Sequence, residues 1–437
     1  MKLRFYLSLI VAKLAYIFLK VTKLSSGTAI IGLITKKICP NFLVFANNFI
    51  VKSKINITGT NGKTTSSGII SHLIKSSNYS IISNSQGANM LNGIINTLAL
   101  EINPLKKVDY SVIETDEAFL KQVYEKMKGD YLLVTNLFED QTDRFANPLF
   151  TRDLIQKGID LRENVQLILN ADEPVSSSLK SKSKSPIYFC IEHVFDEENQ
   201  EIIYKNESYH CPKCSQIMNY SKTYYAQVGD YCCECGYKRP DSKYKASVTL
   251  YKHHSILNLN NITYEVPLTG LFNVYNALGA IVLCLELGID NIQENLKTFK
   301  VAFGRSEKRK LNGHDVLIQL IKNPAGTNEV LKTVDLNSNI LIVANNNVAD
   351  GTDISWIEQV DFERFAEVNK EIVISGLCCN ELENRLKKAG VRSIKIISDI
   401  DRAVEYIGQN ADSDITVLTT YTALLKIDKI KEMKKCF

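Results

Sequence analysis

The sequence lacks features that would place it in several other classes of protein. No run of residues reaches the roughly 18 uncharged apolar positions that a membrane-spanning helix needs. The nearest approach, residues 5–19, is interrupted by Lys13. A secretory signal would need an unbroken apolar core and a small-residue cleavage site, and neither is clear in this stretch.

Net charge and cysteine spacing argue against two further classes, nucleic-acid-binding proteins and disulfide-bonded proteins. The formal net charge is only +4 over 437 residues, so a nucleic-acid partner is not indicated. Of the 11 cysteines, five fall within residues 211–235, and the other six show no disulfide spacing. We therefore predict reduced cysteines in a cytoplasmic protein.

The first 45 residues form a predicted amphipathic helical segment, in which lysines interrupt short apolar runs. Two interpretations remain open. In one, the helix packs on the protein itself. In the other, it is a basic interfacial helix that makes peripheral contact with the inner leaflet of the membrane.

The strongest functional signal is a glycine-bearing loop between a predicted strand, which ends near Ile57, and a predicted helix at residues 66–75. Glycines let the backbone wrap around phosphate oxygens, and the helix N-terminus adds a positive field. The strict pattern G-x-x-x-x-G-K-[ST] is not met, because Ile57 stands at its first glycine. We predict that ATP phosphates bind to seven consecutive residues: Gly59, Thr60, Asn61, Gly62, Lys63, Thr64 and Thr65.

Two side chains of this loop have specific expected roles. Lys63 would reach the β- and γ-phosphates, and the Thr64 hydroxyl would hold a magnesium ion. Glu114 ends another predicted strand and is placed to bind the same ion. Asp116 and Glu117 follow closely, which leaves open which of the three carboxylates serves.

Two tight cysteine turns predict a structural zinc site. Cys211 and Cys214 form a C-x-x-C turn, and a second turn follows at a spacing typical of zinc ribbons. Three thiols compete for the last two places. We favour Cys232 with Cys235, which repeats the C-x-x-C spacing, over Cys233 with Cys235. Four thiolates leave no open position on the ion, so we do not expect the site to be catalytic.

Predicted strands alternate with predicted helices along most of the chain, which indicates an α/β fold with a parallel sheet. Asn, Asp and Glu residues lie at the ends of several strands, where such sheets bind ligands. We divide the chain into an N-terminal helical segment (1–45), a central ATP-binding domain (46–308) and a smaller C-terminal α/β domain (309–437). The zinc ribbon is an insertion at residues 205–240.

The only tryptophan lies in residues 350–358, Asp-Gly-Thr-Asp-Ile-Ser-Trp-Ile-Glu. Ser355 and Glu358 fit a capping box, in which two side chains satisfy the first amides of a helix. The residues by themselves therefore favour a turn that leads into a helix.

Several stretches together resemble the Mur ligases and folylpolyglutamate synthetases. Residues 57–65 are similar to their nucleotide loop, and Glu114 is similar to their strand-end magnesium glutamate. Three further stretches are also similar: residues 135–145, 169–174 and 270–277. The resemblance implies a Mur ligase fold that uses ATP and Mg²⁺. In such a fold Asn273 would approach the adenine, and Arg305 would lie on the phosphate side.

Several features of the sequence differ from the common Mur ligase pattern and indicate one particular family within it. Gln141 stands where amino-acid-adding Mur ligases carry a metal-linked histidine, and the chain before the loop is too short for a UDP-binding domain. The cysteine insertion and the tryptophan motif complete a pattern that resembles the MurT family of lipid II isoglutaminyl synthase subunits. Asn346 and the pair Glu358-Gln359 depart from the usual residues around that motif.

The MurT resemblance implies an ATP-dependent amidation of the D-glutamate α-carboxylate in the lipid II stem peptide through an acyl phosphate. Nothing in this chain looks like a glutaminase, because it has few histidines and no nucleophile elbow. Ammonia would come from a separate GatD-type glutaminase subunit. Asp353 would complete the catalytic triad of that partner.

Two other functions remain as alternatives. A Mur-type ligase would add an amino acid to a peptidoglycan precursor, and would need a second amine-binding site but no glutaminase. A non-catalytic nucleotide-binding zinc scaffold would only activate its partner. Such a scaffold has no need of Lys63, Thr64 and Glu114 together.

Overall fold

The computed structural model describes residues 2–22, 28–84, 88–139, 147–202, 209–252, 254–300, 305–347 and 350–435. The chain divides into two compact units. The first contains most of the residues up to 300. The second contains the described residues after 304 together with Glu139, Asn147 and Gly270–Phe272.

The first unit is a mixed α/β structure built on a nine-stranded sheet. Its helices are α1 (Lys2–Thr22), α2 (Thr28–Ile38), α3 (Phe42–Ala46), α4 (Lys63–Ser76), α5 (Leu91–Glu101), α6 (Leu120–Lys126), α7 (Pro148–Ile159), α8 (Leu271–Glu286) and α9 (Ile292–Lys297). Its strands are β1 (Ile50–Thr58), β2 (Ile81–Ser83), β3 (Val108–Glu114), β4 (Tyr131–Val134), β5 (Gln166–Asn170), β6 (Ile187–Phe195), β7 (Asn219–Tyr225), β8 (Val228–Cys232), β9 (Tyr244–Leu250), β10 (Ser255–Leu259) and β11 (Ile262–Val266).

The strand order of this sheet is β11-β10-β9-β6-β5-β4-β1-β3-β2. All pairs from β2 to β9 are parallel, and β10 and β11 extend the sheet as an antiparallel edge. The central strands are apolar along most of their length because helices cover them; Ile55, Val112 and Leu132 are fully buried. The predicted parallel α/β sheet is therefore confirmed.

The N-terminal segment consists of three helices that pack on this sheet unit. Phe5, Leu9 and Ala12 of α1 are buried in the same apolar cluster as residues of α3 and α5. The ring of Phe5 stacks on that of Phe42 at 5.1 Å. By length and composition, α1 is long and apolar enough to cross a membrane, with a mean hydropathy of 1.7. Only 22% of its most apolar window is buried inside the protein.

A separate hairpin of β7 and β8 lies between β6 and β9 in the chain, inside the predicted ribbon insertion. Short 3₁₀ helices cover Asn47–Phe49 and Ser176–Ser178. The serine- and lysine-rich stretch 176–185 is typical in composition of a solvated loop, but Ser176 and Ser177 are buried. The Ser177 hydroxyl hydrogen-bonds to Tyr231 at 2.7 Å and to Tyr237 at 2.9 Å, so the ribbon covers this stretch.

The second unit has a seven-stranded sheet in the order β16-β15-β14-β17-β13-β12-β18. Its elements are β12 (Arg305–Leu311), β13 (His314–Leu320), α10 (Pro324–Lys332), β14 (Asn339–Val343), β15 (Ile372–Ser375), α11 (Cys379–Lys388), β16 (Ile394–Ile396), α12 (Ile400–Asn410), β17 (Ile415–Thr419), α13 (Tyr421–Ile427) and β18 (Lys434–Lys435), with 3₁₀ helices at Ser355–Gln359 and Phe362–Glu367. The strands from β13 to β16 are parallel. A second α/β domain is present, as predicted.

Candidate nucleotide and metal sites

The predicted nucleotide loop joins the end of β1 to the start of α4, and two glycines give it its shape. Gly59 has φ +124° and Gly62 has φ +86°, both in the region that side chains rarely adopt. A Cβ at position 62 would lie 1.9 Å from Oδ1 of Asn276, and one at position 59 would lie 2.3 Å from Oγ1 of Thr135. Both positions therefore require glycine.

The loop is held by the segment that follows β4. The Thr60 amide donates to the Asn136 carbonyl at 2.8 Å, and the Asn61 amide donates to Oδ1 of Asn136 at 2.9 Å. The Thr135 hydroxyl donates to the Asn61 carbonyl at 2.6 Å. Thr65, in the first turn of α4, is buried. The loop conformation is thus fixed from a neighbouring strand end and not by its own residues alone.

Thr64 and Glu114 meet at the end of the sheet. The Thr64 hydroxyl donates to Oε2 of Glu114 at 3.0 Å, and the Ser67 hydroxyl donates to Oε1 at 2.6 Å. Asn84 fixes the Glu114 backbone through two hydrogen bonds of 2.7 and 2.9 Å. A hydroxyl and a carboxylate side by side are the oxygen ligands that magnesium prefers, so the donor set fits that ion.

Glu117 contacts the loop in a different way. Its Oε1 forms an ion pair with Nζ of Lys63 at 2.8 Å and accepts a hydrogen bond from the Gly59 amide at 3.0 Å. The sequence offered Glu117 only as an alternative to Glu114. The structure separates the two acids, because Glu114 contacts the threonine and Glu117 contacts the lysine. Glu117 thus engages the same two groups that we expect to bind phosphate.

Of the other residues predicted to contact the nucleotide, the structure describes the side chain of Asn273 but not that of Arg305. Asn273 lies in the first turn of α8, where its Nδ2 donates to the Thr269 carbonyl at 2.8 Å. Arg305 begins β12, but its side chain lies outside the described residues. Gln141 and most of the similar stretch at 135–145 also lie outside them.

Four cysteines converge at one end of the ribbon hairpin. They are Cys211, Cys214, Cys233 and Cys235, and their sulfur atoms all lie within 4.8 Å of one another. Two sulfur pairs are 3.5 and 3.7 Å apart. Tetrahedral zinc with bonds of about 2.3 Å would space its sulfurs by about 3.8 Å. The cluster therefore fits a metal ion closely.

Backbone amides near the two cysteine turns donate hydrogen bonds to sulfur atoms of the cluster. The Lys213 amide donates to Sγ of Cys211 at 3.4 Å. A backbone hydrogen bond from Tyr237 lowers the pKa of the Cys235 thiol to about 7, whereas burial raises the pKa of the Cys211 thiol.

The prediction of Cys232 as a zinc ligand is corrected, because Cys233 occupies that place. Cys232 is still part of β8, opposite Asn219, and its side chain is exposed. Successive residues of a strand point to opposite faces, so Cys232 and Cys233 cannot both face the cluster. The Cys233 amide bonds to the Tyr237 carbonyl at 2.7 Å and closes a tight turn around a C-x-C pair.

The ribbon is joined to the sheet through a buried ion pair. Arg239 Nε lies 2.6 Å from Oδ1 of Asp172, whose side chain is fully buried after β5. Oδ2 of Asp172 accepts from the Ile191 amide at 2.8 Å and from the Tyr275 hydroxyl at 2.7 Å. Burial raises the pKa of Asp172 to about 6, against the opposing effect of Arg239.

The tip of the ribbon hairpin also reaches the segment after β4. Gln227 Nε2 donates to the Leu137 carbonyl at 2.9 Å and to Oε1 of Glu173 at 2.5 Å. The rings of Tyr225 and Phe138 meet edge to face at 5.8 Å. The Phe138 amide in turn donates to the Thr60 hydroxyl at 3.0 Å. One hydrogen-bonded segment therefore touches both the ribbon and the nucleotide loop.

In the second unit, the tryptophan motif lines a concave surface together with Asn323. Asp350 accepts from the Thr422 amide at 2.8 Å, so it holds α13. The capping-box prediction is wrong, because Ser355 does not cap the 3₁₀ helix through its side chain. Instead the half-exposed Asp353 accepts from the Ser355 amide at 2.8 Å.

Comparisons with known proteins agree with this architecture. Residues 57–284 match the Mur ligase middle domain, and residues 320–424 match the MurT ligase C-terminal domain. Among solved structures, a pseudomurein peptide ligase type C from Methanothermus fervidus has a TM-score of 0.68 at 21% identity, and covers 94% of this chain and 85% of its own. MurF ligase from Thermotoga maritima, in complex with ADP, has a TM-score of 0.61 at 13% identity, with 91% and 82% covered. These likenesses show the Mur ligase fold, and that fold implies ATP and Mg²⁺.

Relatives that match most of this chain carry a more specific name. The chain is 35% identical over 382 residues to the lipid II isoglutaminyl synthase (glutamine-hydrolyzing) subunit MurT of Staphylococcus aureus (strain COL), with 86% of each chain covered. It is 31% identical over 389 residues to the subunit of the same name from Streptococcus pneumoniae, again with 86% of each covered. The chain therefore belongs to the MurT family of lipid II isoglutaminyl synthase subunits.

Proposed function

We propose that this chain is the ATP-dependent synthetase subunit of a glutamine amidotransferase that converts the D-glutamate of lipid II to D-isoglutamine. One observation carries the proposal. A nucleotide loop with the Thr64–Glu114 pair occurs in a chain that also matches the MurT C-terminal domain. A Mur-type amino acid ligase would share the first feature and lack the second.

The proposed chemistry follows from the poor reactivity of a carboxylate. The α-carboxylate oxygen attacks the γ-phosphorus of ATP, ADP leaves, and an acyl phosphate forms. Ammonia then attacks the carbonyl carbon, phosphate leaves with the bonding electrons, and loss of a proton gives the amide. Phosphorylation thus supplies the leaving group that the carboxylate lacks.

The loop residues have defined roles in this proposal. Lys63 neutralises charge on the transferred phosphoryl group, and the amides of residues 59–65 bind the phosphates of ATP. Thr64 and Glu114 would hold Mg²⁺, which lowers the repulsion between the phosphate and the incoming carboxylate. Asn273 would contact the adenine, and Arg305 would approach the phosphates.

Cys211, Cys214, Cys233 and Cys235 would hold a structural Zn²⁺. Four thiolates close the coordination sphere, so the ion would stabilise the ribbon and would take no part in the reaction. The distances between the sulfur atoms support this assignment.

A GatD-type glutaminase subunit would supply ammonia to this chain. Asp353 would face that partner and orient the histidine of its catalytic triad. Its partial exposure and its place on a concave surface of the second unit support this role. The complex would work in the cytoplasm, at the inner face of the membrane that carries lipid II.

The test is amidation of lipid II by the purified chain with ATP and magnesium. Mass spectrometry would look for the loss of about 1 Da that accompanies conversion of an acid to an amide by this chemistry. We expect amidation with ammonium alone, and with glutamine only after the glutaminase subunit is added. Addition of a free amino acid in place of ammonia would instead identify a Mur-type ligase.

Two variants assign the residues. Lys63→Ala should abolish ATP turnover, whereas Lys75→Ala, an exposed lysine in the last turn of the same helix, should not. Asp353→Asn should remove glutamine-driven amidation and spare part of the ammonium-driven reaction. An equal loss of both reactions would place Asp353 in the synthetase site or the fold.

A further inference from the structure

Helix α1 carries two apolar stripes on opposite sides. One stripe, which includes Phe5, Leu9 and Ala12, is buried against the rest of the first unit. The other repeats at spacings of four and three residues and consists of exposed side chains: Leu3, Leu7, Ile10, Leu14, Ile17 and Val21. Such spacings place all six on one side of a helix. A soluble protein surface rarely exposes an apolar stripe of this length.

The charged residues of α1 all have the same sign. The first 100 residues contain no aspartate or glutamate, and the first acid in the chain is Glu101. At 3.6 residues per turn, Lys2, Lys13 and Lys20 flank the exposed stripe on one side, and Arg4 flanks it on the other. Within the part of the chain that the structure describes, none of these four forms an ion pair.

We propose that the exposed face of α1 is a docking surface for an anionic lipid bilayer, on which the helix lies parallel to the membrane plane. The apolar stripe would enter the boundary between headgroups and acyl chains, and Lys2, Arg4 and Lys20 would reach the lipid phosphates. Ile30 and Leu33 of α2, in the same three-helix segment, are also exposed. The inference rests on the proposed function, because membrane docking would bring the chain to a lipid-anchored substrate that is confined to the bilayer surface.

Two other occupants fit the observations less well. A second copy of the chain would pair stripes flanked only by positive charge, and like charges facing each other oppose association. A membrane-spanning α1 would have to leave the unit. Its buried stripe packs in the core, and Nζ of Lys13 donates to the Ile102 carbonyl at 3.2 Å, so the helix is held along the protein surface.

The test is flotation of the full chain with vesicles. We expect binding to vesicles of phosphatidylglycerol and phosphatidylcholine at low salt, and little binding to pure phosphatidylcholine or at high salt. Each basic residue near an anionic surface raises binding about fivefold. Lys2→Gln/Arg4→Gln/Lys20→Gln should therefore bind about a hundredfold more weakly, with the apolar stripe intact. Equal binding to neutral vesicles would overturn the proposal.

A second pair of variants tests the stripe itself. Leu14→Glu/Ile17→Glu should reduce vesicle binding by about tenfold or more, because both side chains would enter the interface. The matched control Ile262→Glu/Leu377→Glu places the same charges at exposed aliphatic positions outside α1, and should bind almost as the parent does. Three results would overturn the docking surface: equal loss in both pairs, loss of self-association without loss of flotation, or resistance to extraction from the vesicles by alkaline carbonate.

Failure of this inference can be told apart from failure of the proposed function. Vesicle binding needs no ATP, so Lys63→Ala should float as well as the parent chain. Loss of flotation with full amidation of detergent-dispersed lipid II would overturn only the docking surface. In the α1 variants we expect the KM for vesicle-embedded lipid II to rise, while the kcat with the dispersed substrate stays unchanged.

Discussion

Replacement of Arg239 by methionine tests how the ribbon is attached to the sheet. Arg239 follows the cysteine turns and pairs with Asp172 at 2.6 Å. The carboxylate is fully buried and is also bonded to the Ile191 amide and the Tyr275 hydroxyl. Methionine keeps most of the side-chain volume and removes the charge, so Asp172 would remain buried with no cation beside it.

The expected loss of stability is large. Removing one partner of a buried ion pair costs about 3–5 kcal/mol, because the remaining charge is left without compensation. By contrast Lys245→Met, which breaks exposed ion pairs on the neighbouring strand β9, should have little effect on stability, because water screens those charges. The comparison separates the effect of burial from that of ion pairing alone.

The pH dependence supplies a second signature. Burial raises the pKa of Asp172 to about 6, above its ordinary value of 3.8. The folded state therefore binds the proton more tightly than the unfolded state does, and the carboxylate costs stability above pH 6. That cost disappears as the pH falls from 6 toward 3.8. Without Arg239 the pKa rises further, so the deficit of the variant should be largest at pH 8 and shrink toward pH 6.

Hydrogen exchange of peptides from β6 is the suitable assay, since the Ile191 amide donates directly to Asp172. We expect the free energy of local opening to fall by about 3 kcal/mol in Arg239→Met at pH 8 and by less at pH 6, because protonation of the uncompensated carboxyl limits the loss to about 1.4 kcal/mol for each pH unit above the parent pKa of about 6. A deficit under about 1 kcal/mol, or one that is equal at both pH values, would refute the buried-pair argument.

Three further predictions concern the metal cluster and the nucleotide loop. Cys233→Ser should lose bound zinc, as measured by atomic absorption, while Cys232→Ser should retain it; the reverse result would restore the C-x-x-C assignment. Glu117→Gln should tighten ATP binding about tenfold by calorimetry, because a carboxylate no longer competes for Lys63; weaker binding would mean that Glu117 contacts the substrate or the metal. Gln227→Leu should raise the KM for ATP several-fold with zinc content unchanged, and an unchanged KM would separate the ribbon from the loop.

Local patterns predicted the sites whose geometry depends on neighbouring residues in sequence. The strand, the glycine loop and the helix around Lys63 lie together in the chain, and Glu114 ends β3 as expected. The largely apolar runs at residues 108–114 and 166–170 predict strands, and β3 and β5 have these bounds. Buried parallel strands are continuous apolar runs, so these segments carry a strong signal.

Features that depend on tertiary contacts were not accessible in the same way. The choice of Cys233 over Cys232 depends on the strand face at the end of β8, which spacing alone does not reveal. Ser176 and Ser177 look solvated in sequence, yet the ribbon tyrosines cover them. Asp353, and not Ser355, makes the local side-chain hydrogen bond in this turn, because an aspartate two residues before the Ser355 amide reaches it directly.

The position of the ribbon offers a route by which the proposed metal site would influence the nucleotide loop. Gln227 holds the Leu137 carbonyl, and the next residue, Phe138, bonds to the Thr60 hydroxyl of the nucleotide loop. The Asp172–Arg239 pair anchors the other end of the ribbon. Loss of a bound metal ion would unfold the two cysteine turns of the ribbon, because the ribbon has only a small apolar cluster of its own. The segment after β4 would then lose its hydrogen bond from Gln227. The conformation of the nucleotide loop, which this segment contacts, would become less well fixed.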